Sequence, residues 1–163
     1  MKIMKVWGSH LPVLIKLVSI TSGPILELGG GLYSTPFLHW ACFPTKRKLV
    51  SYDNDPKYFQ QIFQYKDDFH EVGLVTNWDD VNVNYPWDIV FVDHTTERRG
   101  IDAKRVANLA KYVVLHDSDP VKHNEVYGYA SVYPLFKYRF DYKETSPNTT
   151  ILSNFIDLSN FKI

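Results

Sequence analysis

Ser22-Gly-Pro-Ile-Leu-Glu-Leu-Gly-Gly-Gly-Leu-Tyr-Ser-Thr-Pro36, followed by Leu49-Val-Ser-Tyr-Asp-Asn-Asp-Pro56, is the stretch whose reading decides the fold. Ser22-Gly23-Pro24 reads as a turn. Ile25 to Leu28 is a short apolar strand that carries Glu27 near its end. Gly29, Gly30 and Gly31 form a loop with no side chains in the way. Thr35 suits a helix cap and Pro36 the first helical position, where a missing N–H costs nothing. A second strand, Leu49 to Tyr52, ends in Asp53.

Strand, glycine loop, helix, strand and acid make up the nucleotide-binding half of an α/β fold. The glycines let backbone and ligand approach closely, and the helix N-terminus favours a negative group. An acid at the end of the second strand can accept hydrogen bonds from both ribose hydroxyls. The dinucleotide fingerprint fits Gly29 and Gly31 but meets Ser34 at its third position. Glu27 also stands where a dinucleotide site usually has an apolar residue.

Glu27-Leu28-Gly29-Gly30-Gly31 instead resembles motif I of the class I S-adenosylmethionine (SAM) methyltransferases. The resemblance implies that Glu27 and the loop, with Tyr33 and Ser34, hold the methionine half of the cofactor. It places Asp53 and Asn54 at the ribose. Trp78-Asp79-Asp80 follows the third strand, where the family commonly bonds adenine, so Trp78 and Asp79 are candidates there. Asn and Asp are abundant from Asn77 to Asn84, and a plain turn explains them equally well.

The rest of the chain continues the alternation. Leu11 to Ile20 reads as an amphipathic helix capped by Ser9, with Leu14, Leu17 and Val18 on one face. It is too short to span a bilayer and is interrupted by Lys16. Trp7 and His10 lie within reach of the site, with a surface or packing role expected for each. Asp55-Pro56 repeats the cap-plus-proline start. Val72 to Val75 is the third strand. Trp87 to Val92 is a continuous apolar strand ending in Asp93-His94. A polar loop with Arg98 and Arg99 leads to a helix over Ile101 to Ala110. Tyr112 to Leu115 is the fifth strand and ends in His116-Asp117. Lys137 to Lys143 and Thr149 to Leu152 read as a closing hairpin around Ser146-Pro147-Asn148. Tyr127, Tyr129, Tyr133 and Phe136 form an aromatic segment whose tyrosines either stack on a flat or sugar-like acceptor or, as the first expectation, pack beneath the hairpin.

The predicted fold is therefore α/β: a three-layer, doubly wound, mostly parallel sheet of about seven strands with a C-terminal antiparallel hairpin. The 163 residues make a single domain. Residues 1–22 form an N-terminal helix region, 23–120 the cofactor-binding core, and 121–163 a C-terminal helix and hairpin. An apolar content of 45% and charged content of 22% describe an ordinary globule. Zero formal net charge argues against a protein built to hold nucleic acid. One cysteine, Cys42, allows no intramolecular disulfide and no multi-cysteine zinc site, and fits a reducing cytoplasm. It is expected in the core.

In the strand order of the resembled family, strands one, four and five are neighbours. Asp93, His94, His116 and Asp117 then share one rim and are the catalytic candidates. Three readings stay open. Asp93 and Asp117, with His116, hold a divalent ion that acidifies a hydroxyl; a histidine ligand then favours manganese, iron or zinc over magnesium. Alternatively, His94 or His116 is a general base. In the third reading these residues only shape the loops or position the cofactor, with Asp93 as a cofactor-binding candidate. No Asn-Pro-Pro-Tyr or Asp-Pro-Pro-Tyr run follows strand four, so an oxygen of a small molecule or glycan-type acceptor is the expected target. With no large insertion to enclose that acceptor, a homo-oligomer can complete the pocket. A non-catalytic SAM-binding domain is the main alternative, and a nicotinamide-dependent oxidoreductase the weaker one.

Overall fold

The computed structural model describes residues 7–119 and 123–163. Its centre is a seven-stranded sheet in the order β3-β2-β1-β4-β5-β7-β6. The strands are β1 (Ile25–Leu28), β2 (Leu49–Asp53), β3 (His70–Leu74), β4 (Trp87–Val92), β5 (Ala110–Leu115), β6 (Tyr138–Tyr142) and β7 (Thr149–Ser153). The first five run parallel, and β7 is antiparallel to both β5 and β6. The helices are α1 (Leu11–Ile20), α2 (Ser34–Cys42), α3 (Pro56–Ile62), α4 (Arg99–Arg105) and α5 (His123–Val126). Strand order turns back between β1 and β4, the place where such sheets bind ligands.

Side chains alternate between two cores, as the pleat requires. Leu26, Leu28, Val90, Val92, Val113 and Leu115 face one side with Ala103 and Tyr129. Ile25, Ile89, Phe91 and Val114 face the other, against Val13, Leu14 and Leu17 of α1 and Leu38 and Cys42 of α2. Cys42 is fully buried, as its apolar neighbours suggest. Burial on both faces explains why β4 is a continuous apolar run.

Two helix starts differ from the sequence expectation, for one reason. Neither Ser9 nor Thr35 caps a helix: the residue before α1 is His10, that before α2 is Tyr33, and neither start has a side-chain cap. Both hydroxyls are used by buried ionisable groups, Ser9 by His116 and Thr35 by Glu27. A buried group without a partner costs more than a missing cap. Asp55 does cap α3, accepting from the Lys57 N–H at 2.8 Å. The fourth helix stops at Arg105 rather than Ala110, because Ala110 already pairs with Trp87 in the sheet. Among the described residues no helix is long and apolar enough to cross a membrane.

Candidate active site

The carboxyl ends of β1 and β2 supply one half of the site. Gly29 has φ +99°, and a Cβ there would lie 2.5 Å from the backbone of Asp93 and His94. Only glycine lets the loop pass this close to the end of β4. The Gly29 and Gly30 N–H groups donate to the Tyr52 carbonyl at 2.9 and 3.2 Å, tying the loop to β2. Gly31 differs: a Cβ would meet nothing nearer than Ser34 Oγ at 4.0 Å. Its N–H donates to Thr35 Oγ1 at 3.0 Å, and that hydroxyl donates to Glu27 Oε2 at 2.8 Å. Glu27 stands behind the loop, fully buried, and among the described residues its Oε1 has no hydrogen-bond partner. Burial pushes its carboxyl up to about 7, against the opposing effect of the Ser34, Ser51 and Thr35 hydroxyls. Asp53 closes β2, accepts from the Asp55 N–H at 2.7 Å, and is raised by burial to about 6.

The ends of β4 and β5 supply the other half, and here charges meet charges. Asp93 Oδ1 lies 3.0 Å from His116 Nδ1 and 3.0 Å from Arg99 Nη2. Arg99 Nη1 donates to Asp117 Oδ2 at 2.8 Å and its Nε to the His94 carbonyl at 2.6 Å. The Tyr127 ring lies under the guanidinium, 4.3 Å to its centroid. His116 Nε2 bonds Ser9 Oγ at 2.8 Å, and Tyr129 Oη donates to the His116 carbonyl at 3.0 Å. Burial alone would raise the Asp93 carboxyl; His116 and Arg99 outweigh it and hold the group below its ordinary range. Burial alone would lower His116, and the Asp93 carboxylate reverses that. In the aromatic segment Tyr129 is fully buried, and Tyr127, Tyr133 and Phe136 pack half-buried against the same core.

One cavity of about 500 Å³ joins the two halves. Its wall includes Gly29, Gly30, Gly31, Tyr33, Ser34, Asp53 and Asn54 from the first half. From the second come Asp93, His94, His116 and Asp117. Two residues expected at the adenine do not line it. Trp78 is buried against His94, with ring centroids 4.2 Å apart, and Asp79 is paired with Arg98 at 2.7 Å. His94 reaches the wall, but its Nε2 is held by Asp102 at 2.8 Å. Asp102 also binds Arg98, just before α4, and Arg105, at its end.

The metal set read from sequence is rearranged. Arg99 bridges Asp93 and Asp117, so a fixed cation already answers the two acids. The His, Cys, Asp and Glu donors that converge among the described residues are those of His10, Asp93 and His116, and Asp117 is outside that set. Arg99, expected only in a polar loop, Ser9, expected only as a helix cap, and His10, expected in a surface or packing role, are all part of the site. Two successive arginines between acid-tipped strands were the signal for the first. Nothing local signals Ser9, whose partner is 107 residues away.

The residues present fit SAM. Gly31 leaves open space at the cavity wall, Asp53 stands at the end of β2, and the buried Glu27 has an unpartnered oxygen. Sheet order and hairpin are those of the class I methyltransferase fold. No protein-family model matches this chain, and no curated protein matches it. Solved structures do. The O-methyltransferase TomG from Streptomyces achromogenes, in complex with SAM, is similar at TM-score 0.63 and 20% identity, over 90% of this chain and 79% of that one. Human methyltransferase-like protein 13, in complex with S-adenosylhomocysteine (SAH), is similar at TM-score 0.67 and 14% identity, over 96% and 85%. The Bacillus cereus O-methyltransferase, also in complex with SAH, is similar at 0.64 and 15%, over 90% and 80%.

Proposed function

We propose that this chain is a SAM-dependent methyltransferase that acts on an oxygen of a small-molecule acceptor. The observation that carries the reading is the single cavity running from Gly31 and Asp53 to the Asp93–His116 pair. The sulfonium of SAM supplies the methyl group together with its own leaving group. What remains for the protein is to bind, align and deprotonate. Asp53 is the acceptor for ribose hydroxyls. The Glu27–Thr35–Gly31 chain of hydrogen bonds keeps the loop in place beside the cofactor's polar end. The acceptor hydroxyl gives up its proton at the Asp93–His116 corner, held in register by Arg99. Trp7, Tyr33 and Tyr58 on the cavity wall suit a ring or sugar face, which favours a glycan-type or other cyclic alcohol.

Calorimetric titration with SAH tests the reading, with NAD as the competitor. Micromolar SAH binding that NAD does not displace is the expected result. NAD binding without SAH binding would overturn the proposal in favour of an oxidoreductase.

A further inference from the structure

His10 is buried, 2% exposed, and among the described residues neither of its ring nitrogens has a hydrogen-bond partner. A buried imidazole without partners is expensive and asks for an explanation. Its ring stands edge-on to His116 at 4.6 Å and tilted on Phe91 at 4.7 Å. One donor atom from each of His10, Asp93 and His116 lies within 4.8 Å of the others. All three residues line the cavity.

We propose that His10, Asp93 and His116 bind a first-row transition-metal ion, so that the segment before α1 supplies a ligand to the site. Two imidazoles and one carboxylate with positions left open form a donor set for zinc, cobalt, manganese or iron, whereas magnesium prefers oxygen. Ligands about 2.1 Å from one ion stand roughly 3.0–4.2 Å apart. The Asp93 Oδ1 to His116 Nδ1 distance of 3.0 Å is already in that range, and closing a spread of up to 4.8 Å to the tetrahedral spacing of about 3.4 Å asks His10 to move by roughly 1–1.5 Å. Binding displaces the proton at His116 Nδ1 and leaves Nε2–H on Ser9 Oγ, the outer hydrogen bond that orients a metal-bound imidazole. Arg99 and His116 both contact Oδ1 of Asp93, which leaves Oδ2 as a second oxygen for the ion. The ion's role in acidifying an acceptor hydroxyl rests on the methyltransferase reading; its binding does not.

The test uses untagged, chelator-treated protein titrated with cobalt, zinc and magnesium by calorimetry, with SAH measured in parallel. One cobalt or zinc ion per chain is expected, with magnesium at least about 100-fold weaker. The proton NMR spectrum of the cobalt form should show two strongly shifted, solvent-exchangeable imidazole N–H signals, one from each histidine. His10→Phe keeps a ring against Phe91 and should abolish binding; Ser9→Ala should weaken it about tenfold. No stoichiometric cobalt or zinc binding, fewer than two shifted N–H signals, or unchanged affinity in His10→Phe overturns the site. If His10→Phe does not fold, the two signals from the wild-type protein decide. SAH binding without metal binding removes the ion and leaves the methyltransferase; metal binding without SAH binding does the reverse.

Discussion

The two halves of the cavity handle carboxylates in opposite ways. At the ends of β1 and β2, Glu27 and Asp53 are buried beside hydroxyls and backbone N–H groups, and their carboxyls rise to about 7 and 6. In the other half, Asp93 at the end of β4 is half-buried and Asp102, on α4 behind His94, is fully buried, yet both are held below the ordinary range, because histidine and arginine neighbours outweigh burial. The first half spends its close contacts on backbone approach. The second spends them on ion pairs. A cofactor that brings its own positive charge suits the first; a reaction that moves a proton suits the second.

The sharpest test of that division is a pair of valines. Gly29→Val forces a branched residue into positive φ and into the backbone of β4. We expect a loss of at least about 3 kcal/mol, read by denaturant unfolding. Gly31→Val meets open space, so its melting temperature should hold while SAH binding disappears. Equal destabilisation by both would erase the distinction between a packing glycine and a cavity glycine.

Arg99→Met probes the other half. It leaves Asp93 and Asp117 facing each other without their shared cation. Arg99 is buried and its two acids only partly so, and leaving them without their cation should cost about 1–3 kcal/mol. Unfolding should show that loss, and SAH affinity should change less than stability does. A variant as stable as the parent would mean that Arg99 contributes packing alone.

The difference between the halves also sets how much of each was legible. The first is local: loop, cap position and acid fall within 35 residues, and the glycine spacing is written in the sequence. Even there, the assignment of Thr35 to the helix cap missed Glu27, because burial of the acid is a tertiary fact. The second half is assembled from α1, β4, α4 and β5. Its acids were visible at strand ends, but Ser9 and His10 approach from far along the chain. The acids themselves did not reveal that Arg99 would answer both of them. Strand three began two residues early for a similar reason: His70 looks polar, yet it pairs with Leu49 and bonds Ser51 at 2.9 Å.

Asp53→Ala should weaken SAH binding by about 1–3 kcal/mol, the cost of leaving ribose hydroxyls without a charged acceptor. The same group predicts a pH dependence. With its carboxyl near 6 in the free protein, affinity should fall as the solution is acidified through that value. An unchanged dissociation constant in the variant, or a flat profile between pH 7 and 5, would remove Asp53 from the site.

Glu27→Gln carries the smallest expected effect and separates stability from binding. The folded state raises this carboxyl from 4.5 to about 7, so it favours the protonated form. The carboxyl therefore costs nothing below about pH 4.5, and its cost grows as pH rises to about 7, where the buried group must ionise. Glutamine keeps an acceptor for Thr35 and never ionises. Its variant should thus gain up to about 2 kcal/mol over the parent at pH 8 and nothing at pH 4.5, read by unfolding across that range. If Glu27 faces the positive end of the cofactor, the same variant should bind SAH more weakly while being more stable. A gain in stability with unchanged binding would assign Glu27 to the loop alone. The unpartnered Oε1 would then be a plain cost of burial rather than a contact kept for a ligand.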